Sequence, residues 1–110
     1  MLIVCDKDYK VSGKLKIREE QAPYPNDEEV LIRVKSFGIN RPDLLQKKGL
    51  YPPPASASKI LGLECSGFVE KTGKKVKGIK EGDKVCALTA GGAYAEKVCV
   101  HQWHCFNIPK

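Results

Sequence analysis

Short apolar runs of strand length recur along this chain, and residues that favour turns separate them. Gly, Pro, Asn and Asp are concentrated between the runs, where the chain has to reverse its direction. This spacing predicts a mainly β domain, either an antiparallel sandwich or a small barrel, with little helix. The predicted strands are Leu2–Cys5, Leu15–Arg18, Val30–Gly38, Cys65–Val69, Lys84–Leu88, Tyr94–Val100 and Cys105–Ile108.

The alternation of apolar and polar residues is clearest over Glu28–Lys35. Val30, Ile32 and Val34 recur at every second position, which is the spacing that places side chains on one face of a strand. The positions between them are polar except for Leu31. The segment is therefore predicted to be a half-buried strand with one imperfect position on its outward face.

One segment carries the signals of a helix. Asn40 can cap a first turn, Asp43 places a carboxylate near the positive N-terminus, and Gly49 offers a stop. A short helix is therefore predicted over about Pro42–Lys48, with its proline at a position that needs no N–H.

Tyr51 follows this predicted helix and precedes three consecutive prolines. Successive prolines hold a chain extended and stiff. Two interpretations of the tyrosine are open: its ring packs against the helix, or the stiff loop presents it to a ligand.

The length of 110 residues suits a single domain, and a hydrophobic fraction of 42% with 29% charged residues is typical of a globular chain. No apolar stretch is long enough for a signal peptide or a membrane span. Five cysteines are an odd number without a pairing pattern, which favours reduced thiols over disulfides. We therefore expect a cytoplasmic protein with no membrane partner.

The net charge of +6 comes almost entirely from lysine, since only three of the 19 basic residues are arginines. The densest group of lysines lies between Lys71 and Lys84, where acidic residues interrupt it. Nucleic-acid sites usually combine charge with arginine forks and exposed aromatic side chains. A solvated turn is therefore favoured over a nucleic-acid partner.

The motif that comes nearest to a phosphate-binding loop is Ala90–Ala93. A phosphate site needs a glycine turn that leads from a strand into a helix, where backbone N–H groups and the helix dipole hold the anion. Ala90–Ala93 lacks the G-x-G-x-x-G spacing and runs into a segment with strand character. Binding of a nucleotide phosphate is therefore not expected within these 110 residues.

Cys99, His101, His104 and Cys105 gather two thiols and both histidines into one short segment. These residue types ligate zinc, so a metal site has to be weighed. Their spacing does not match zinc ribbons or fingers. Structural thiols and exposed histidines are the favoured interpretation, and no metal is expected.

Glu64 is bracketed by Gly62 and Gly67. Glycines at such positions suggest a backbone packed too closely for a Cβ, with the carboxylate in or near a cleft. The alternative is that Glu64 pairs with a nearby lysine or amide.

The chain also carries, in this order, five glycine-containing segments: Gly38–Asp43, Gly49–Pro54, Leu61–Glu64, Glu81–Val85 and Gly91–Glu96. Together they resemble the medium-chain dehydrogenase/reductases and, among these, the zeta-crystallin-like NADPH quinone oxidoreductases. The resemblance covers essentially the whole chain. It implies a GroES-like fold, a partly open β-barrel, for residues 1–110, and a following Rossmann domain that these residues do not include.

The resemblance also implies roles for individual residues. Asn40 would lie near the nicotinamide or its ribose, and Tyr51 would contact the cofactor, narrow the substrate pocket and donate a hydrogen bond to the reduced oxygen. Arg41 and Leu63 would line the cleft. Glu64 would keep a structural or supporting role.

Two of these positions depart from the zinc-dependent members of the superfamily. Asn40 and Leu63 stand where those enzymes have a cysteine and a histidine ligand, and neither an amide nor an alkyl side chain ligates zinc well. The lobe that holds a structural zinc is also missing. The resemblance therefore implies a zinc-independent reductase that takes NADPH and a quinone or similar acceptor, and whose full-length form is a homo-oligomer.

Three hypotheses on function follow. The first is that residues 1–110 are the substrate-side domain of such an enzyme and are inactive alone. The second is a stand-alone GroES-like module that binds proteins and has lost catalysis. The third, a ring assembly like that of the co-chaperonins, is disfavoured because no flexible partner-binding loop is evident.

Overall fold

The computed structural model describes residues 1–6, 15–40 and 60–109. Within these residues the chain is mainly β, as predicted, and one short 3₁₀ turn spans Gln102–His104. The predicted helix over Pro42–Lys48 lies outside the described residues. The strands are β1 Leu2–Asp6, β2 Leu15–Glu19, β3 Glu29–Phe37, β4 Glu64–Thr72, β5 Lys84–Leu88, β6 Lys97–His101 and β7 Cys105–Asn107.

The strands form two antiparallel sheets. The larger has the order β6-β3-β4-β5-β7, and the smaller consists of β1 and β2. The larger sheet is curled into a half-barrel, and the domain has the GroES-like fold that the resemblance implied. The register of β3 against β4 shifts twice: Glu70 of β4 is the extra residue at the first shift, and Lys35 of β3 is the extra residue at the second. An extra residue of this kind bends a strand and increases its twist.

One predicted strand begins later than expected. The sequence predicts a strand from Tyr94, whereas β6 begins at Lys97. Tyr94 and Glu96 instead exchange backbone hydrogen bonds with the first strand, from Val4 N to Tyr94 O at 2.8 Å and from Glu96 N to Leu2 O at 3.0 Å. The chain therefore crosses from the small sheet to the large one before β6 can form.

The core lies against the concave face of the large sheet. Alternation along β3 buries Val30 and Ile32 completely, which confirms the predicted inward face. Leu31, the imperfect outward position, is itself only 3% exposed. The principal cluster of buried residues is Val30, Ile32, Cys65, Val69, Val85, Ala87, Ala93, Val98, Val100 and Cys105.

The antiparallel pairing of β3 with β4 gives the large sheet two chemically different ends. At one end Phe37 pairs with Cys65, so the segment after β3 and the segment before β4 lie together. We call this the Asn40 end. At the other end Val30 pairs with Thr72, where β4 leads into the long turn of residues 73–83. We call this the lysine end.

Candidate functional site

Three segments meet at the Asn40 end: residues 38–40, residues 60–64 and the loop 89–94. Backbone hydrogen bonds join the last two, from Thr89 N to Leu63 O at 2.8 Å and from Gly92 N to Ile60 O at 2.8 Å. A third runs from Tyr94 N to Leu61 O at 2.9 Å. The segment that leads into β4 is therefore held along its length by the loop.

Gly62 shows why this approach requires a glycine. Its φ is +109°, a region that side chains rarely adopt. A Cβ there would lie 2.7 Å from both the backbone nitrogen and a ring carbon of Tyr94. The close backbone packing inferred from the glycines around Glu64 is thus present at this position.

Leu63 and Asn40, two of the predicted cleft residues, lie at this same end of the sheet. Both are half-buried, and Ile39, next to Asn40, is 73% exposed. Leu63 uses its main-chain carbonyl to hold Thr89 and offers only a hydrocarbon side chain. The other two predicted site residues, Arg41 and Tyr51, lie outside the described residues, and the proposed roles of all four stay predictions.

Glu64 lies in an open groove rather than in an ion pair. Within the described residues no ion pair involves it, and its carboxylate contacts Gly38. The groove has a volume of about 570 Å³, and its apolar lining includes Phe37, Leu88 and Phe106. The structure therefore supports the cleft interpretation of Glu64.

Sequence reasoning missed the aromatic and threonine side chains that shape this region. Phe37 stacks on Tyr94 with ring centroids 4.6 Å apart, which joins the end of β3 to the loop 89–94. The Thr89 hydroxyl donates to Gly91 O at 2.7 Å and stabilises the turn of that loop. Thr89 and the two glycines that follow it could have indicated a turn, but the partner of the Thr89 N–H is 26 residues away in sequence and gives no local signal.

The cysteine and histidine segment does not converge on a metal site. Cys99 and His101 share the outward face of β6, as their alternation predicts. His104 lies beyond the 3₁₀ turn, with its ring centroid 5.9 Å from that of His101. In the described part of the chain no three His, Cys, Asp or Glu side chains are grouped so that they could hold a metal ion.

The thiols of the core are held in their protonated form. Burial, assisted by the neighbouring Cys105, Cys86 and Glu64, raises the pKa of Cys65 to about 11. Burial raises the pKa of Cys105 to about 11 and that of Cys99 to about 12. A thiol is a poorer nucleophile than a thiolate, which agrees with the structural role predicted for the buried Cys65 and Cys105. Cys65, Cys86, Cys99 and Cys105 are all free of disulfides.

Comparison with known proteins identifies the family. The sequence-family model of the alcohol dehydrogenase GroES-like domain matches residues 26–110 of this chain. The chain therefore belongs to this domain family, whose relatives here include quinone oxidoreductases of the medium-chain dehydrogenase/reductase superfamily.

Individual relatives support the same assignment. The chain is 40% identical over 97 residues to the mouse synaptic vesicle membrane protein VAT-1 homolog-like, covering 88% of this chain and 23% of that protein. It is 46% identical over 72 residues to quinone oxidoreductase 1 of Escherichia coli, covering 64% and 22%. The crystal structure of Escherichia coli quinone oxidoreductase complexed with NADPH superposes with a TM-score of 0.78 at 35% identity, covering 86% and 29%.

The chain spans less than a quarter of the length of these curated relatives. What it shares with these longer proteins is the segment that carries the GroES-like domain. No helix in the described residues is both long and apolar enough to cross a membrane.

Proposed function

We propose that this domain is the substrate-side part of a zinc-independent, NADPH-dependent quinone oxidoreductase, and that it is inactive without a nucleotide-binding domain. The observation that carries the proposal is the Asn40 end, where an amide and an alkyl side chain occupy one edge of the sheet beside an apolar groove. The donor chemistry there does not fit zinc, because Asn40 is a poor ligand and Leu63 offers no lone pair. An apolar groove does suit a flat, uncharged acceptor such as a quinone.

The residues at this end fit the nicotinamide part of the cofactor rather than its phosphates. Asn40 has both a donor and an acceptor and would hold the nicotinamide or its ribose, while Leu63 and Arg41 would line the cleft and limit the access of water. Tyr51 would narrow the pocket and donate a hydrogen bond to the oxygen that is reduced. NADPH, when bound, supplies the hydride. The proposal includes a cytoplasmic, homo-oligomeric full-length protein.

A titration of the isolated domain tests the first half of the proposal. Phosphate and adenine contacts belong to a nucleotide-binding domain in this family, so the 110 residues alone should bind NADPH weakly or not at all. Fluorescence titration should therefore give no saturation at micromolar NADPH. Micromolar binding would contradict the proposal.

A chimera tests the second half. Residues 1–110 would replace the corresponding segment of Escherichia coli quinone oxidoreductase 1, and quinone-dependent NADPH oxidation would be followed with and without a zinc chelator. We expect chelator-insensitive activity that falls at least tenfold in Asn40→Ala and in Tyr51→Phe. Asn107→Ala, which removes an exposed amide from β7, is the matched control and should retain activity. A folded chimera that binds NADPH but oxidises none with quinone would defeat the enzyme assignment and favour a stand-alone binding module.

A further inference from the structure

The lysine end carries a concentration of positive charge that the proposed reaction does not use. The turn 73–83 and the strand ends beside it present exposed side chains of Lys71, Lys74, Lys75, Lys77, Lys80 and Lys84. Within the described residues none of these lysines is ion-paired with a carboxylate. The positive charge therefore faces solvent.

Acidic side chains in and beside the turn offset part of this positive charge. Glu70 pairs with Lys97, outside the turn, at 3.0 Å. The Asp83 carboxylate accepts from the backbone N–H of Lys80 at 3.0 Å, and Glu28 accepts from the side chain of Gln102 at 2.6 Å. Hydrogen bonds from neutral donors do not remove the charge of Asp83 or Glu28, but residues 71–84 carry six lysines against Glu81 and Asp83, which leaves this segment a net charge of +4.

The turn that carries the lysines is held in a defined shape. The Gln102 side chain accepts from Lys77 N at 3.0 Å and donates to Lys75 O at 3.2 Å, so it clamps the centre of the turn. Val76 and Ile79 pack against the core. The turn is thus ordered before any partner arrives, and binding does not have to offset the entropy of ordering it.

Two exposed aromatic side chains flank the lysines. Tyr24 is 81% exposed, and the Lys71 ammonium lies 5.3 Å from its ring centroid. Trp103, 76% exposed, is adjacent to the clamping Gln102, and its ring lies 4.9 Å from that of His101. Amphipathic aromatic rings beside lysines are typical of surfaces at the interface between water and lipid headgroups.

We propose that the lysine end is a docking surface for membranes whose headgroups carry negative charge. Lysines without arginine favour a diffuse array of anions over a base-specific partner, because the lysine ammonium is a point charge without a bidentate fork. This peripheral contact revises the expectation of no membrane partner, and it does not depend on the proposed reaction.

Vesicle binding by the 110-residue protein tests the proposal. Vesicles of 70% phosphatidylcholine and 30% phosphatidylserine would be compared with pure phosphatidylcholine by co-sedimentation in 50 mM salt. We expect binding only to the anionic vesicles, with a blue shift of the emission of Trp103, the single tryptophan. Raising the salt to 500 mM should abolish it, because screening shortens the range of the attraction. Soluble glycerophosphoserine at the same headgroup concentration should not displace the protein, since one headgroup cannot replace a multivalent array.

Two variants that lose the same number of positive charges distinguish binding by this surface from binding that depends only on the net charge of the protein. The turn variant carries Lys→Gln at positions 75 and 77, and the control carries Arg33→Gln and Lys35→Gln, two exposed cations on β3. Since each lysine near an anionic surface adds to the attraction, the turn variant should lose at least tenfold in partitioning, whereas the control should lose less than threefold. Circular dichroism and thermal unfolding verify that both variants fold.

Three results would overturn the proposal: equal losses in the two variants, equal binding to uncharged vesicles, or tighter binding to a single-stranded oligonucleotide or to polyglutamate than to anionic vesicles. The last would assign the surface to a nucleic acid or to an acidic protein.

Discussion

The two ends of the large sheet differ in how they use the same strands. At the Asn40 end the segment before β4 is joined backbone to backbone to the loop after β5, and apolar and aromatic side chains line an open groove. At the lysine end β4 leads into a turn covered with charge, which the Gln102 side chain and backbone hydrogen bonds to Asp27 and Glu29 hold in place. The contrast teaches that one sheet can present an apolar groove at one end and a lysine-rich turn at the other.

Raising the pH into the alkaline range should lower the free energy of unfolding more than any substitution described below. The loss should begin with the two buried thiols near the Asn40 end. The pKa values of Cys65 and Cys105 are raised to about 11 on folding, so the folded state keeps protons that the unfolded state loses above pH 9. The stabilisation is complete below pH 9 and is lost as pH rises towards 11. Urea unfolding at pH 8, 9, 10 and 11 should show this decline.

A double variant, Cys65→Ala with Cys105→Ala, provides the control for that decline. It removes the two raised thiols near the Asn40 end and leaves Cys99, with its pKa of about 12, on β6. The slope of unfolding free energy against pH should then be shallower, even if the variant is less stable at pH 8. An unchanged slope would show that other groups cause the decline.

Substituting one glycine at each end of the sheet should give the next largest difference in the free energy of unfolding. A Cβ at Gly73 would collide with the backbone carbonyl oxygens of Asn26 and Asp27, which cannot move without breaking the turn. Gly73→Ala should therefore cost about 3 kcal/mol. A Cβ at Gly38 meets the flexible carboxylate arm of Glu64, so Gly38→Ala should cost about 1 kcal/mol. Equal losses in chemical denaturation would remove this difference between the ends.

Removing the Gln102 side chain, the amide clamp at the lysine end, should lower the free energy of unfolding by a smaller amount. Gln102→Ala removes the hydrogen bonds to Glu28, Lys75 and Lys77 and should cost about 1–2 kcal/mol. Hydrogen exchange at the Lys77 amide should accelerate at the same time. Asn107→Ala is the matched amide control, since its one contact with the turn, to Gly78 O, is 3.3 Å long. If Asn107→Ala accelerates exchange in the turn as much as Gln102→Ala does, Gln102 is not the clamp.

The ion pair between Lys97 and Glu70 should contribute least to the free energy of unfolding. Both side chains are 29% exposed, and partly solvated pairs contribute little. Lys97→Gln should lower the unfolding free energy by about 0.5 kcal/mol, and a double-mutant cycle with Glu70→Gln isolates the pair. A coupling above about 1 kcal/mol would mean that the outward face of the sheet is better shielded from water than its exposure indicates.

The strands were largely predictable because their signals are local. Alternation over Glu28–Lys35 gave the inward face of β3, and turn residues marked the breaks between the strands. The error at Tyr94 has a physical cause: its apolar neighbours suit any strand, and only the competition between β1 and β3 for that segment decides where β6 begins.

The site was less predictable. Asn40 and Leu63 were identified by resemblance, but their placement at one end of the sheet follows from the register of β3 against β4. Thr89, Phe37 and Phe106 were missed because their partners are distant in sequence.

The sequence by itself determined the β character of the domain, its family and the absence of zinc-ligating side chains at Asn40 and Leu63, since residue types and short-range periodicity carry that information. Only the tertiary structure decided that residues 60–64 lie against the loop 89–94, that Glu64 lies in a groove, and that the lysines between Lys71 and Lys84 lie on an ordered turn without an ion pair to any carboxylate of the described residues. These features depend on strand register and on long-range hydrogen bonds, which are settled by the packing of the whole sheet.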